Sequence, residues 1–157
     1  MKDEDTACYV QYGVSGYGVA TKLSSREAIE SDKLGGFLKD LMVEIAERCQ
    51  KAGAKYIGHI KCHLQTGEGS LRADTIGTKH GAELYGHIQK PVKTGELVIN
   101  SIVQGITKDE VKDCTLGAAY DLAEKYNLQI EKVEEHQYFD EYDYLSEGNK
   151  LDREASV

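Results

Sequence analysis

Proline and tryptophan are almost missing from this chain of 157 residues: Pro91 is the only proline, and there is no tryptophan. A proline-rich linker is therefore excluded. The chain also lacks any run of 18 apolar residues, so the sequence predicts no membrane-spanning helix. Its length suits one domain that buries a single core.

Positive charge is in short supply as well. Lysine and arginine number 19 against 27 aspartates and glutamates, which gives a net charge of −8. This balance argues against nucleic acid or an anionic membrane as the main partner. Residues 1–5 are acidic and precede no apolar stretch of the signal-peptide kind, so we expect a cytoplasmic protein.

Several motifs that carry chemistry are absent. The four cysteines have no C-x-x-C spacing, and we expect buried thiols in a reducing compartment. No G-x-x-x-x-G-K-[ST] phosphate loop, G-x-S-x-G elbow, H-E-x-x-H helix or EF-hand loop occurs. Lys93-Thr94-Gly95 is interpreted as a turn. The sequence therefore nominates no catalytic residue, no resident cofactor and no metal site.

Two helices are predicted from apolar periodicity. Over residues 31–51 apolar side chains recur at steps of three and four, as on one face of an amphipathic helix. Thr107 and Glu110 have the spacing of a capping box that begins a second helix. Asn127 suits the left-handed residue that ends it.

Strand patterns surround these helices. Residues 7–23 alternate and contain Ser15-Gly16-Tyr17-Gly18, which predicts an N-terminal hairpin with a turn there. Residues 55–64 and 71–75 predict a second hairpin, turning at 65–70. The run 96–105 is apolar on both faces, as in a central strand. Weaker strands are predicted at 83–90 and 128–134.

These elements predict an α+β fold, with an antiparallel sheet, two main helices on one face and the N-terminal hairpin. We expect residues 1–137 to form one domain. We expect residues 138–157 to form an acidic, partly flexible tail. A single helical layer leaves the other sheet face open, and an open face often serves as an interface.

The candidate site lies on that open face, in the hairpin 55–76. Pairing Leu64 with Leu71 puts the small and apolar side chains on the inner face and sets Lys61 opposite Asp74. The outer face then carries a basic cluster on an acidic protein, and we predict that it binds an anion, either a small ligand or an acidic segment. The predicted ligand-binding residues are His59, Lys61, His63 and Arg72. As a zinc site the cluster is poor, because His59 and His63 would lie about 13 Å apart along the strand.

A resemblance adds to this interpretation. His59-x-Lys61 on a strand after a helix, a turn with Gly67 and Gly69, and a later strand with Asn100 resemble the region that follows the nucleotide domain in some CobW-like GTPases. The likeness covers about residues 37–120. The chain lacks the Walker motif and the Cys-x-Cys-Cys metal motif, so GTP hydrolysis is not carried over. The resemblance implies an accessory domain beside a GTPase that handles a metal or a corrinoid cofactor.

The function predicted from the sequence is thus a non-enzymatic binding or accessory domain. Its partner would be a GTPase or a cofactor-handling protein. The sequence leaves open whether the chain forms a homodimer. One alternative is a small-molecule, anion-binding or metal-binding protein that uses the face of His59, Lys61 and His63. A second alternative is an enzyme whose active site forms at an oligomer interface.

Overall fold

A computed structural model describes residues 13–136. They form six strands and two α-helices, with a short 3-10 helix at Thr78–His80. The strands are β1 Ser15–Ile29, β2 Tyr56–Thr66, β3 Gly69–Thr75, β4 Glu83–Ile88, β5 Val92–Gln104 and β6 Gln129–His136. The helices are α1 Ser31–Lys51 and α2 Lys108–Lys125.

All six strands belong to one antiparallel sheet in the order β4-β3-β2-β5-β1-β6. Helix α1 packs over β2, β3 and β4, while α2 packs over β1, β5 and β6. The predicted α+β class, with both helices on one face, is confirmed. Within residues 13–136 neither helix has the length and apolarity needed to cross a bilayer. The predicted tail at residues 138–157 lies outside the described residues.

The periodicity of α1 decides how this helix packs. Every apolar residue that repeats at three- and four-residue steps is buried, and Phe37, Leu41 and Ile45 expose 0% of their surface. The ring of Phe37 meets Tyr126 edge-on, with 5.5 Å between the ring centroids. The predicted helix and its buried face are confirmed, and this face forms the centre of the core together with the inner face of the sheet.

The start of α2 is fixed by local hydrogen bonds. The Thr107 hydroxyl accepts the amide of Glu110 at 3.1 Å, and the Glu110 carboxylate accepts the amide of Thr107 at 3.1 Å. This reciprocal arrangement satisfies two amides that the helix itself leaves unpaired. The predicted capping box is confirmed. Asn127, with φ of 58°, is the left-handed residue that follows the helix.

Removing this cap should loosen the helix. We expect Thr107→Ala to lower the free energy of unfolding by about 1 kcal/mol, because one helix amide loses its acceptor. Thr107→Ser keeps the hydroxyl and serves as the matched control. Its free energy of unfolding should change by a few tenths of a kcal/mol at most. Urea denaturation measures both. Equal stability of the alanine variant and the wild type would mean that water replaces the cap at no cost.

The β2–β3 hairpin has the predicted register. Leu64 pairs with Leu71, Lys61 with Asp74, and His63 with Arg72. The turn is shorter than predicted, because Thr66 already pairs with Gly69 and only two residues connect the strands. Thr66 stabilises this tight turn: its hydroxyl donates to the Gly69 carbonyl at 2.7 Å.

The N-terminal prediction is wrong at its turn. A single strand, β1, runs from Ser15 to Ile29 straight through the predicted turn residues. The glycines suggested a turn, but Tyr17 and Val19 are buried beneath the helices, and β1 pairs with β5 on one side and β6 on the other. Tertiary pairing and burial outweigh the local turn propensity here. Residues 7–12 of the predicted hairpin lie outside the described residues.

Strand β5 lies at the centre of the sheet, between β2 and β1, as its two apolar faces predicted. It begins at Val92, so the turn predicted at Thr94 and Gly95 is wrong. Gly95 has a packing role instead: a Cβ at this position would lie 2.8 Å from Cδ1 of Leu64. On the helical side of β5, the hydroxyl of buried Ser101 meets that of Thr115 on α2 at 2.9 Å.

Two cysteines are buried as expected. Cys49 and Cys62 lie in the core, and Cys114 is partly buried. Burial raises the pKa of all three thiols, that of Cys62 to about 12. Since the thiolate is the reactive form, these groups are inert at neutral pH. Cys8 lies outside the described residues.

Candidate functional site

The predicted site residues occupy the sheet face opposite the helices. On β2, Lys61 and His63 stand two residues apart and point to the same side. Across the β2–β3 pairing, Asp74 lies beside Lys61 and Arg72 beside His63. On the other flank of β2, the β5 residue Asn100 pairs with Lys61. The structure therefore brings Lys61, His63 and Arg72 together.

These side chains surround a depression of about 440 Å³. The exposed side chains of Lys61 and Arg72 and the half-buried imidazole of His63 form much of its lining. Tyr85 on β4, opposite Arg72 in the register, supplies an aromatic wall and is 47% exposed. We call this depression the β2–β3 dish, defined by Lys61, His63, Arg72, Asp74, Tyr85, Val98 and Asn100.

Charge in the dish is positive on balance but mixed. Asp74 is the acid among its lining residues, and its Oδ2 lies 3.9 Å from Nε2 of His59. The predicted pairing of Lys61 with Asp74 is present in the strand register, but the side-chain contact of this carboxylate runs diagonally to His59. Glu83 on β4 pairs with Asp74 and adds an acid that the sequence analysis did not place on this face.

Asn100 supplies an unused hydrogen-bonding group. Its side-chain oxygen Oδ1 is buried and has no hydrogen-bond partner among the described residues. A buried polar atom without a partner costs free energy, on the order of 1–3 kcal/mol. Asn100 lines the dish, so a ligand donor that displaces the atoms covering this oxygen can satisfy it. The dish is thus suited to a ligand that carries both an anionic group and a hydrogen-bond donor.

Neither a reactive thiol nor a cluster of metal ligands lines the dish among the described residues. Cys62 contributes backbone to the dish, but its thiol lies in the core with a pKa raised to about 12 by burial. Within residues 13–136, no three histidine, cysteine, aspartate or glutamate side chains come together as metal ligands would. His59 faces the outer side of β2 beside Ile102, at the edge of the basic cluster and outside the dish lining.

Sequence reasoning missed part of the site. Tyr85 lies on a strand predicted only as weak, and nothing local marks the pairing that places it next to Arg72. Asn100 did carry a signal, because it is a polar residue within the apolar run of a central strand. Ser101 shares that run, but it faces the helices and is paired with Thr115.

Comparisons with known proteins give a partial likeness. No protein-family model matches the chain, and no curated protein matches it. Among solved structures, Zn(II)-bound YjiA GTPase from E. coli is 12% identical over 69% of this chain and 30% of that chain, with a TM-score of 0.35. A Zn(II)-bound triple mutant of YjiA is 11% identical over 67% of this chain and 29% of that chain, with a TM-score of 0.34.

YjiA is a CobW-family GTPase. The predicted resemblance is confirmed as weak and partial. The chain spans about 30% of the length of the matched GTPase chains.

Proposed function

We propose that this chain is a binding domain whose β2–β3 dish takes an anionic ligand that also donates a hydrogen bond. Lys61 and Arg72 supply the positive charge, and His63 lies between them on the same face. Arginine binds carboxylate or phosphate oxygens through its planar fork of donors, and lysine adds a mobile point charge.

The observation that carries this proposal is that Lys61, His63 and Arg72 line the same depression as Asn100, whose buried side-chain oxygen has no partner among the described residues. An ordinary solvated sheet face leaves its polar atoms open to water, whereas this oxygen is buried. Strands β2, β3 and β5 are hydrogen-bonded neighbours. Their backbone therefore holds the positions of the site in place before any ligand arrives. These positions are Lys61, His63, Arg72 and Asn100. Such preorganisation lowers the entropic cost of binding.

The test is calorimetric titration of the full chain with inorganic phosphate at low ionic strength. We expect saturable binding that weakens as salt is added, because exposed charges are screened over about 8 Å at physiological ionic strength. Lys61→Ala combined with Arg72→Ala should weaken phosphate binding at least about tenfold, which corresponds to 1.4 kcal/mol.

A matched control changes the same charge elsewhere. Lys33 and Lys39 are exposed on α1, on the other side of the sheet. Their double alanine variant lowers the net charge equally and should bind phosphate as the wild type does. If phosphate binding weakened equally in both double variants, net charge alone would explain the effect, and the proposal would be overturned. So would a wild type that binds no phosphate at saturating concentrations.

The accessory role beside a GTPase, or beside a protein that handles a metal or a corrinoid, stays a prediction from the sequence resemblance. A protein partner and a homodimer also stay predictions. Gene neighbourhood tests the first of them: an adjacent GTPase or corrinoid-protein gene would support it.

A further inference from the structure

The dish has a candidate occupant within the same polypeptide. Residues 138–157 follow β6 after one intervening residue, Gln137, and carry six acids. These acids are Asp140, Glu141, Asp143, Glu147, Asp152 and Glu154. We propose that the acidic segment 140–143 binds the β2–β3 dish and competes there with external anions. This inference rests on the proposed function, since it uses the same cations.

The position of the end of β6 supports this assignment. His136, the last described residue, pairs with Gly18, and Gly18 pairs with Asn100. Asn100 in turn pairs with Lys61, so three neighbouring strand spacings separate the chain exit from the dish. At about 4.8 Å per spacing the separation is about 14 Å.

The length of chain fits this separation. Asp140 follows His136 by four residues and Asp143 by seven. At about 3.3 Å per extended residue they reach about 13 and 23 Å from the end of β6. Little side-chain bulk stands on the outer sheet face between β6 and the dish, because β1 carries the small residues Gly18 and Ala20 there.

The chemistry of the segment matches that of the dish. Carboxylates suit Lys61 and Arg72, and a peptide also brings backbone N–H groups that can donate to Asn100 Oδ1. Aromatic rings flank its acids and stand among them, and a ring can stack on the guanidinium of Arg72 or against Tyr85. These rings are Tyr138, Phe139, Tyr142 and Tyr144.

Tethering makes such a contact effective even when it is weak. A segment joined by a short linker has an effective concentration in the millimolar range. The acidic residues 3–5 near the other end of the chain are the rival occupant. They carry the same three acidic charges but no aromatic residue, and so we favour the segment 140–143.

The experiment compares full-length variants that change charge equally. Asp140→Asn, Glu141→Gln and Asp143→Asn are combined in one variant, and Asp3→Asn, Glu4→Gln and Asp5→Asn in the control. Phosphate binding is measured by calorimetry at low ionic strength. We expect the first variant to bind phosphate about threefold tighter or better than the wild type, because its competitor is neutralised, and the control to match the wild type.

A double-mutant cycle ties the effect to the dish. In the Lys61→Ala and Arg72→Ala background, neutralising residues 140–143 should no longer change phosphate affinity. Equal affinity of the wild type and the 140–143 variant would overturn the inference while leaving the proposed function standing. If only the control variant gained phosphate affinity, residues 3–5 would be the occupant of the dish, and the inference would also be overturned. A wild type that binds no phosphate at saturating concentrations would overturn the proposed function, and this inference with it.

Discussion

Leu41→Ala is expected to lower the free energy of unfolding by about 2–5 kcal/mol. Leu41 lies on the inward face of α1 and exposes none of its surface. Truncation removes methyl groups from contact with the core and leaves a cavity that the packed sheet can fill only in part. Chemical denaturation monitored by circular dichroism measures the loss.

Ile76→Ala is the matched control for this substitution. Ile76 is also a large aliphatic residue, but 55% of its surface is exposed. Its truncation should change stability by no more than about 0.5 kcal/mol. If the two variants lost the same amount, the assignment of the core to this face of α1 would be wrong.

Gly86→Ala should detach β4 from the sheet. Gly86 has a φ of 96°, and a Cβ there would lie 2.3 Å from the carbonyl oxygen of Ser70 on β3. The left-handed region alone costs an ordinary residue about 1–2 kcal/mol, and the backbone clash adds to it. We expect the free energy of unfolding to fall by more than this range, and the amides of β4 to exchange faster.

Gly67→Ala provides the comparison. A Cβ on Gly67 meets nothing within 4 Å, and its φ is not in the left-handed region, so stability should stay within about 0.5 kcal/mol of the wild type. Because Tyr85 forms one wall of the dish, Gly86→Ala should also weaken phosphate binding. A Gly86 variant with unchanged β4 exchange would contradict the close approach of the two strands.

Most of the fold follows from local patterns in the sequence. The three- and four-residue spacing over 31–51 predicts α1, and the capping box predicts the start of α2, because both signals lie within a few turns of helix. The β2–β3 register is predictable too, since a shift by one residue would turn Leu64 and Cys62 out of the core. The cluster of Lys61, His63 and Arg72 follows directly from that register.

The remainder depends on pairings between distant segments. The turn predicted at Ser15–Gly18 is wrong because burial of Tyr17 beneath the helices and pairing with β5 override the glycines. For the same reason the neighbours of the dish could not be placed in advance. Asn100 lies at the dish because β5 pairs with β2, and Tyr85 lies there because β4 pairs with β3. No local sequence pattern predicts either pairing.

The place of β1 in the sheet has a consequence for the order of folding. Among residues 13–136, β1 is the first strand and is held between β5 and β6, which are the last two strands in chain order. During synthesis from the N-terminus, β1 has no strand to pair with until β5 has left the ribosome, whereas β2 and β3 can pair at once. The apolar side chains of β1 therefore lack their native sheet neighbours until β5 has been made. Such non-local pairing slows folding and leaves a nascent chain open to aggregation or to chaperones.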